Sequence, residues 1–259
     1  MRINKTAYIL VFGLLGSLAA LGYIAANLAM SKIQLAFRDR AAAAEILATI
    51  LKGHLSDVLS EQKDDVVIIG IVRGGVVIAD VLARKLGVDF SILVVRKIGE
   101  PVDKEKAVGA TTEDGTLYID QKKVNELQLS NSYLETEVIE VQKAVSTRSN
   151  YYRRGLFSKE KNLGDRTVIL VDDGIATGAT IIAAAQSIRK RGPKRLIIAI
   201  PVAPRQILPS LRALADSVQV ITSPSADRFA TIGHFYQDFA PVTDCRILKI
   251  LDDRSQHNE

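Results

Sequence analysis

Two adjacent aspartates followed by a small-residue loop are the most chemically informative feature of the sequence. Asp172 and Asp173 come directly after Thr167–Val171, an apolar, β-branched segment that predicts a buried strand. The loop at residues 174–180 leads into a segment with helical spacing at 181–191. Such a unit presents two carboxylates beside backbone N–H groups and the positive end of a helix dipole. Because carboxylates accept hydrogen bonds from ribose hydroxyls and amides hold phosphates, the pattern predicts a sugar-phosphate site.

The residues of the loop exclude two common kinds of phosphate-binding site. Its predicted phosphate-binding residues are Gly174, Ile175, Ala176, Thr177, Gly178, Ala179 and Thr180, of which the two threonines add hydroxyl donors. A Walker loop is excluded because Gly178 is followed by Ala179 and not by a lysine. A dinucleotide fingerprint is excluded because it needs three glycines, and this loop has only Gly174 and Gly178. The alternative is that the aspartates only cap a strand-to-helix turn.

Two further loops are expected at the same edge of the sheet. The first follows the predicted strand Val66–Ile71, and the second follows a predicted strand at residues 90–95. Their residues are Arg73, Gly74 and Gly75 in the first loop, and Arg96 and Lys97 in the second. Ligands of doubly wound sheets collect beyond the carboxyl ends of the strands, so the three loops together predict a cradle for a diphosphate. Taken singly, an ordinary turn and a solvated strand end remain alternatives.

Alternating strand and helix patterns predict one α/β domain over residues 31–251, followed by a polar tail at 252–259. Helical spacing recurs at residues 41–59, 76–86 and 206–215, and strand patterns recur at Arg195–Val202 and residues 218–221. This alternation indicates a doubly wound, mostly parallel sheet with helices on both faces.

Residues 109–163 interrupt the alternation. A hairpin is expected to turn at Asp114 and Gly115, and Ser132 with Glu135 three residues later is typical of a capping box at a helix start. The segment has too few apolar residues for a core of its own, so it predicts a lid or hood inserted in the domain. Two arginines at the end of the helix are candidate phosphate contacts, Arg153 and Arg154.

The first 30 residues differ from the rest of the chain. No charged residue lies between Lys5 and Lys32, and residues 7–30 are almost wholly apolar. A helix of that length rises about 36 Å, enough to cross a hydrocarbon core about 30 Å thick. The segment is too long for the h-region of a signal peptide, so it predicts one membrane-spanning helix. A cleaved signal, or a true start at Met30, are the alternatives.

Composition and motif content argue against nucleic-acid binding, a disulfide and a histidine or cysteine metal site. The net charge of +5 is spread widely, no helix-turn-helix is recognisable, and no nucleic-acid partner is expected. Cys245 is the only cysteine, which rules out an intramolecular disulfide, and no pair of the three histidines has metal-ligand spacing. A C-terminal aromatic cluster could stack on a nucleobase, although packing is the favoured interpretation; it comprises His234, Phe235, Tyr236 and Phe239.

The motifs resemble those of type I phosphoribosyltransferases. The run VDDGIATGAT at residues 171–180 is similar to their loop for phosphoribosyl diphosphate (PRPP), in which hydrophobic residues precede D-D-x-x-x-T-G-x-T. One branch of these proteins, assigned mainly by motif, also shares F-x-D-R, R-G-G-V-x-x-A, V-V-R-K-I-G, P-V-A-P and F-Y-x-D-F. Here those motifs begin at residues 37, 73, 94, 201 and 235. The apolar N-terminal segment departs from the soluble relatives that the resemblance implies.

The resemblance implies a transferase of nucleotide or nucleoside metabolism that uses PRPP with Mg²⁺ and an unidentified nitrogenous acceptor. It implies catalytic roles for Asp172, Asp173, Arg73 and Lys97, with the 5′-phosphate on residues 174–180. Pyrophosphate is expected on Arg73, Gly74, Gly75, Arg96 and Lys97, and Mg²⁺ on pyrophosphate and ribose oxygens with Asp172 and Asp173. Because PRPP is cytosolic, the domain is expected on the cytoplasmic side of the membrane, or in the cytoplasm if the chain starts near Met30. The alternative function is a non-catalytic sensor of PRPP or a nucleotide, and a homodimer is left open.

Overall fold

A computed structural model describes residues 37–104, 106–153 and 163–256 of the chain. Within those ranges, no helix combines the length and the apolar character needed to cross a bilayer. The membrane span predicted at residues 7–30 lies outside the described residues.

The helices and strands follow the alternation expected from the sequence. The strands are β1 (Val66–Ile71), β2 (Asp89–Leu93), β3 (Val95–Gly99), β4 (Ala107–Thr112), β5 (Leu117–Ile119), β6 (Thr167–Val171), β7 (Arg195–Val202) and β8 (Ser217–Thr222). The α-helices are α1 (Arg40–His54), α2 (Ser56–Glu61), α3 (Gly74–Leu86), α4 (Gln121–Glu126), α5 (Asn131–Tyr152), α6 (Ala179–Lys190), α7 (Leu208–Leu214) and α8 (Asp244–Ser255). The helix predicted at residues 41–59 is divided at Leu55 into α1 and α2.

Five strands form a parallel sheet in the order β2-β1-β6-β7-β8. Strands β1, β6 and β7 are apolar and buried almost throughout, as expected for parallel strands that are covered on both faces. The strand order reverses between β1 and β6, so the loops after these two strands diverge and leave a crevice at the carboxyl edge. The predicted α/β class with a mostly parallel sheet is confirmed.

Two hydrophobic cores lie on the two faces of this sheet. On one face, α1, α3 and α8 cover alternate strand residues such as Ile68 and Ile169. On the other face, α6 and β4 cover the intervening residues, such as Val67 and Val168. This alternation follows from the two-residue period of a strand, and it fixes the position of the loops at the strand ends.

Strands β3, β4 and β5 form a separate antiparallel sheet. The prediction that β2 continues to residue 95 and ends in an Arg96–Lys97 loop is therefore wrong. The chain leaves the parallel sheet at Val94, whose carbonyl accepts a hydrogen bond from the Glu113 amide at 3.0 Å. Arg96 and Lys97 lie within β3, opposite Thr111 and Ala110 of β4. The sequence gives no sign of this change of sheet, because residues 92–95 form one continuous apolar run.

The segment between β3 and β6 contains the predicted hairpin and helix. The hairpin joins β4 to β5, and Gly115 in its turn has a φ of 79°. Helix α5 is capped by Ser130, whose hydroxyl accepts from the Tyr133 amide at 3.2 Å, so the capping box predicted at Ser132 is wrong by two positions. Ser130 takes this role because its backbone is extended. The function of residues 109–163 as a lid stays a prediction.

The close approach of α3 to β1 can be tested with two glycines. A Cβ on Gly70 would lie 2.7 Å from the Gly75 carbonyl oxygen and 2.8 Å from Cβ of Ala79. Gly70→Ala is expected to lower the free energy of unfolding by about 1–3 kcal/mol through overpacking, measured by urea denaturation. Gly53→Ala is the control, because a Cβ there meets nothing within 4 Å, and it is expected to stabilise the helix by about 0.5 kcal/mol. Equal effects of the two substitutions would contradict the packing described.

Candidate active site

A cavity of about 270 Å³ opens at the carboxyl edge of the sheet, between the loops that follow β1 and β6. Most of the predicted site residues line it. They are Arg73, Gly74, Lys97, Asp172, Asp173, Gly174, Ile175, Ala176, Thr177, Gly178 and Thr180. The order of the parallel strands changes at this point, where ligands of doubly wound sheets bind.

Three predicted residues lie outside this cavity. Gly75 is buried in the first turn of α3, and Ala179 packs into the core at the start of α6. Arg96 lines a neighbouring cavity of about 470 Å³, which shares Arg73 and Lys97 with the first. Lys97 reaches the first cavity and Arg96 does not, because successive side chains of a strand point to opposite faces.

The loop with Arg73 and the loop with the aspartates pack directly against each other. A Cβ on Gly74 would lie 1.9 Å from Oδ2 of Asp173. A Cβ on Gly75 would lie 2.6 Å from the carbonyl oxygen of Val171. Only glycine fits at these two positions, so the two loops form one unit with the carboxylates against the start of α3.

The two carboxylates occupy a poorly solvated place. Asp172 accepts hydrogen bonds from the amides of Asp173, at 2.9 Å, and Gly75. Burial and the neighbouring charge of Asp173 nevertheless raise the pKa of Asp172 well above its ordinary value. Burial also raises the pKa of Asp173, although the Arg40 charge opposes this shift. Paired carboxylates that resist ionisation gain most from hydroxyl donors or a cation, which is typical of binding sites.

Arg40 is a site residue to which the sequence analysis gave no role beyond its place in the F-x-D-R motif. Its Nε donates to Oδ2 of Asp173 at 2.7 Å, and its Nη1 donates to the Ala240 carbonyl at 2.9 Å. Its guanidinium carbon lies 3.9 Å from the centre of the Phe239 ring, and its side chain is 11% exposed. Asp39 caps α1 by accepting from the Ala42 amide, which places Arg40 at the first helical position. Arg40 therefore holds Asp173 in one orientation.

The C-terminal aromatic cluster supports the aspartates from behind. The Tyr236 hydroxyl donates to the Asp173 carbonyl at 2.6 Å, and burial raises the pKa of Tyr236, which keeps the phenol a donor. Its ring stacks on Phe239 with centroids 4.8 Å apart. Phe235 is buried, and His234 is exposed but does not line the cavity. These contacts agree with the packing interpretation and not with stacking on a nucleobase.

The loop after Asp173 has several backbone amides without an acceptor among the described residues. No described residue accepts a hydrogen bond from the amides of residues 176–180. The Ile175 amide donates to the Val202 carbonyl at 2.9 Å, which fixes the start of the loop. Gly178 has a φ of 88°, a conformation that favours glycine, and it precedes the first residue of α6. A loop of this kind before the N-terminus of the twelve-residue α6 has the backbone donors that an anion would need, and the predicted phosphate contacts stay a prediction.

Arg73 is held loosely at the opposite wall. Its Nη1 lies 3.7 Å from Oδ1 of Asp244, and 44% of its side chain is exposed. Asp244 also accepts from the Tyr152 hydroxyl at 2.5 Å and from Arg148 at 3.1 Å. Because Asp244 has these other donors, Arg73 can turn towards an anion in the cavity without leaving that carboxylate unpaired.

Arg153 is a structural residue and does not line the cavity. Its Nε donates to Glu113 at 3.0 Å, and its Nη2 donates to the Ile92 carbonyl at 3.2 Å. These bonds join the end of α5 to the β4–β5 hairpin and to β2, so the prediction of a phosphate contact is wrong for Arg153. Arg154 lies outside the described residues.

The donor set at the cavity suits a metal ion that arrives with its ligand. Among the described residues, no group of three or more His, Cys, Asp and Glu side chains could hold a metal. The cavity offers the two carboxylates of Asp172 and Asp173. Mg²⁺ commonly binds through one or two carboxylates and takes its other ligands from substrate phosphates and water.

Asp172→Asn is expected to stabilise the ligand-free protein. A carboxyl group whose pKa is raised by folding lowers stability as pH rises through that pKa. The variant should gain on the order of 1 kcal/mol at neutral pH, and the gain should vanish below about pH 4. Thermal unfolding across this pH range measures the difference.

Asp114→Asn is the matched control, for which the expected change in stability has the opposite sign. Burial acts to raise the pKa of Asp114, but hydrogen bonds from Ser187, Thr112 and Thr116 outweigh it and the pKa is lowered. This variant should therefore lose stability at neutral pH, and the loss should shrink as pH falls. Destabilisation by both variants at neutral pH would contradict the described electrostatics of Asp172.

Comparison with known proteins gives a family for the chain. A family model described as the phosphoribosyl transferase domain matches residues 36–232. Two relatives from Mycobacterium tuberculosis, MT0597 and Rv0571c, carry provisional names as phosphoribosyl transferases and are each 34% identical over 191 residues. The matches cover 72% of this chain and 41% of those proteins, so the chain spans about two fifths of their length.

A solved structure is similar over a larger share of both chains. The crystal structure of TT1426 from Thermus thermophilus is 36% identical, with a TM-score of 0.67, and the match covers 84% of this chain and 98% of that one. The family model spans well over half of this chain, including both site loops. The chain belongs to the phosphoribosyl transferase domain family, a family of transferase enzymes.

Proposed function

We propose that the protein is a phosphoribosyltransferase that uses PRPP with Mg²⁺ and transfers ribose 5-phosphate to a nitrogen acceptor. The observation that supports this most is that the Asp172–Asp173 pair lines one cavity with Ala176, Thr177, Gly178 and Thr180, whose amides have no acceptor among the described residues. A phosphorylated pentose has the matching groups, since vicinal hydroxyls and a phosphate lie on one small ring.

The proposed binding mode assigns the two ends of the ribose. The 5′-phosphate lies in the nest formed by residues 174–180, where amides and the α6 dipole stabilise its charge. The ribose hydroxyls donate to Asp172 and Asp173. These hydrogen bonds favour ionised carboxylates, which otherwise repel each other in the cavity.

The diphosphate is assigned to the wall opposite the nest. Arg73 and Lys97 line that wall, and Gly74 allows close approach to the backbone. Asp172 and Asp173 are the residues that would help hold Mg²⁺, with diphosphate and ribose oxygens completing its ligands. Bound Mg²⁺ supplies charge neutralisation to the leaving diphosphate.

The proposed reaction is a displacement at C1 of the ribose. The acceptor nitrogen gives its lone pair to C1 as the bond between C1 and the diphosphate oxygen breaks, and that electron pair leaves with pyrophosphate. Any proton on the nitrogen passes to solvent. Positive charge develops on the ribose in the transition state, and the carboxylates of Asp172 and Asp173 stabilise it in a poorly solvated cavity.

The paired aspartates give the first test of this function. Asp172→Asn combined with Asp173→Asn is expected to weaken binding of PRPP–Mg²⁺ by about 100-fold or more, because hydrogen bonds to charged groups are lost. Isothermal titration calorimetry measures the affinity, and thermal unfolding shows that the fold is kept. Asp57→Asn, on the exposed side of α2, is the control and should bind normally. An unchanged affinity in the double variant would rule the assignment out.

Arg40 gives a second test, as a positioning residue. Its charge opposes the rise in the pKa of Asp173, so Arg40→Gln should move the acidic limb of the kcat/KM profile to higher pH by roughly one unit. Arg40→Lys keeps the charge and should restore most of the profile. If Arg40→Gln lowers activity equally at every pH, Arg40 has only a structural role.

A further inference from the structure

The parallel sheet ends at β8, and the outer edge of this strand is open. All six residues of Ser217–Thr222 are half-buried, whereas β7 beside them is buried almost throughout. The opposite end of the sheet is covered, because β2 is buried from residue 90 onwards and Arg153 donates to its Ile92 carbonyl at 3.2 Å. Strand β8 is therefore the end at which another strand can extend the sheet.

The backbone groups of alternate residues face this open edge. The Asp216 amide donates to a β7 carbonyl at 2.9 Å, and the Thr222 carbonyl accepts from the amide that follows β7 at 3.2 Å, so the even-numbered residues face β7. Because successive residues of a strand turn their N–H and C=O groups to opposite sides, Ser217, Gln219 and Ile221 turn theirs outward. Within the described ranges, these outward groups have no hydrogen-bond partner. The edge therefore offers both donors and acceptors to an added strand.

The sequence of β8 lacks the features that usually prevent pairing at an edge. It reads SVQVIT at residues 217–222, with no charged residue and no proline, and its register with β7 is regular. Native proteins commonly protect an edge strand with lysine, proline or a bulge. A strand that pairs with its own copy must also be uncharged near the two-fold axis, because each charge there would lie opposite a like charge. The composition of β8 therefore favours a second copy of the chain over a charged partner strand.

One antiparallel register with a second copy satisfies all the outward groups of β8. It is centred on Gln219, which lies opposite itself, and it places Ser217 opposite Ile221 of the second copy. Residues in such hydrogen-bonded pairs exchange both N–H···O bonds, so no outward N–H or C=O group is left over. The same register brings Val218 opposite Val220 of the second copy, in the closely spaced pairs whose side chains pack together. A register centred on Val220 would leave Ser217 without a partner in the opposing strand.

We propose that the chain forms a symmetric dimer through β8, in which the parallel sheets of two copies join into one sheet centred on Gln219. Val218 and Val220 pack against the core that contains α6, and Ile221 packs against the core that contains α1. Both hydrophobic layers therefore continue across the join. None of the six β8 residues lines either cavity of the candidate site, so this proposal is independent of the proposed function.

Charge at position 219 tests the dimer on the full chain in detergent. Native mass spectrometry at micromolar concentration should find the unmodified chain as a dimer. Gln219→Lys and Gln219→Glu should each raise the Kd of the dimer about tenfold or more, because like charges then lie opposite each other. An equimolar mixture of these two variants, one of them isotope-labelled, should form a dimer of intermediate mass. The controls are Gln121→Lys and Gln121→Glu, at the exposed start of α4, which should leave the dimer unchanged.

Hydrogen exchange locates the interface within the dimer. The amides of Ser217, Gln219 and Ile221 should exchange more slowly in the unmodified dimer than in the separated Gln219→Lys chain, and thermal unfolding shows that this variant keeps its fold. A monomeric unmodified chain, or a dimer that survives both substitutions at position 219, would overturn the proposal. So would a failure of the two folded variants to pair with each other when mixed.

Discussion

The contact between the aspartate loop and the glycines at the start of α3 determines the geometry of the site. Gly74 and Gly75 leave space for Asp173 and Asp172, and the Gly75 amide donates to Asp172. Because β1 and β6 are neighbours in the sheet, the two loops emerge side by side. A side chain at either glycine would displace the carboxylates, and the loop at residues 174–180 follows Asp173 directly. The two carboxylates and the loop that follows them therefore have fixed positions relative to the start of α3.

This arrangement is costly for the ligand-free protein and favourable for a ligand. Burial and mutual repulsion oppose ionisation of the aspartates, and Arg40 is the described cation that forms an ion pair with one of them. The amides of residues 176–180 have no acceptor among the described residues. One molecule with hydroxyl donors and a phosphate would supply hydrogen bonds to the carboxylates and an acceptor for the amides. Pre-organised but unsatisfied groups of this kind are expected at sites that bind and convert charged ligands.

The sequence predicted the parallel sheet and the strand, loop and helix around Asp172 well, and it failed where pairing between distant segments determines the structure. Thr167–Val171 and Val66–Ile71 have the bounds expected, because a short apolar run between polar loops defines a buried strand. The change of sheet at Val94 has no local signal, since β2 and β3 are both apolar at their junction. Arg96 was therefore predicted in a loop where the structure has a strand, and its role in binding diphosphate stays a prediction. Arg40 is distant from Asp173 in sequence by 133 positions, so only the fold brings the two together.

A structure of the chain crystallised with ribose 5-phosphate tests the account most directly, because this ligand needs neither an acceptor nor a diphosphate. The account predicts ribose hydroxyls within hydrogen-bond distance of Asp172 and Asp173 and the phosphate on the amides of residues 176–180. A ribose ring bound elsewhere, or a phosphate on the Arg73 and Lys97 wall with the nest empty, would contradict it.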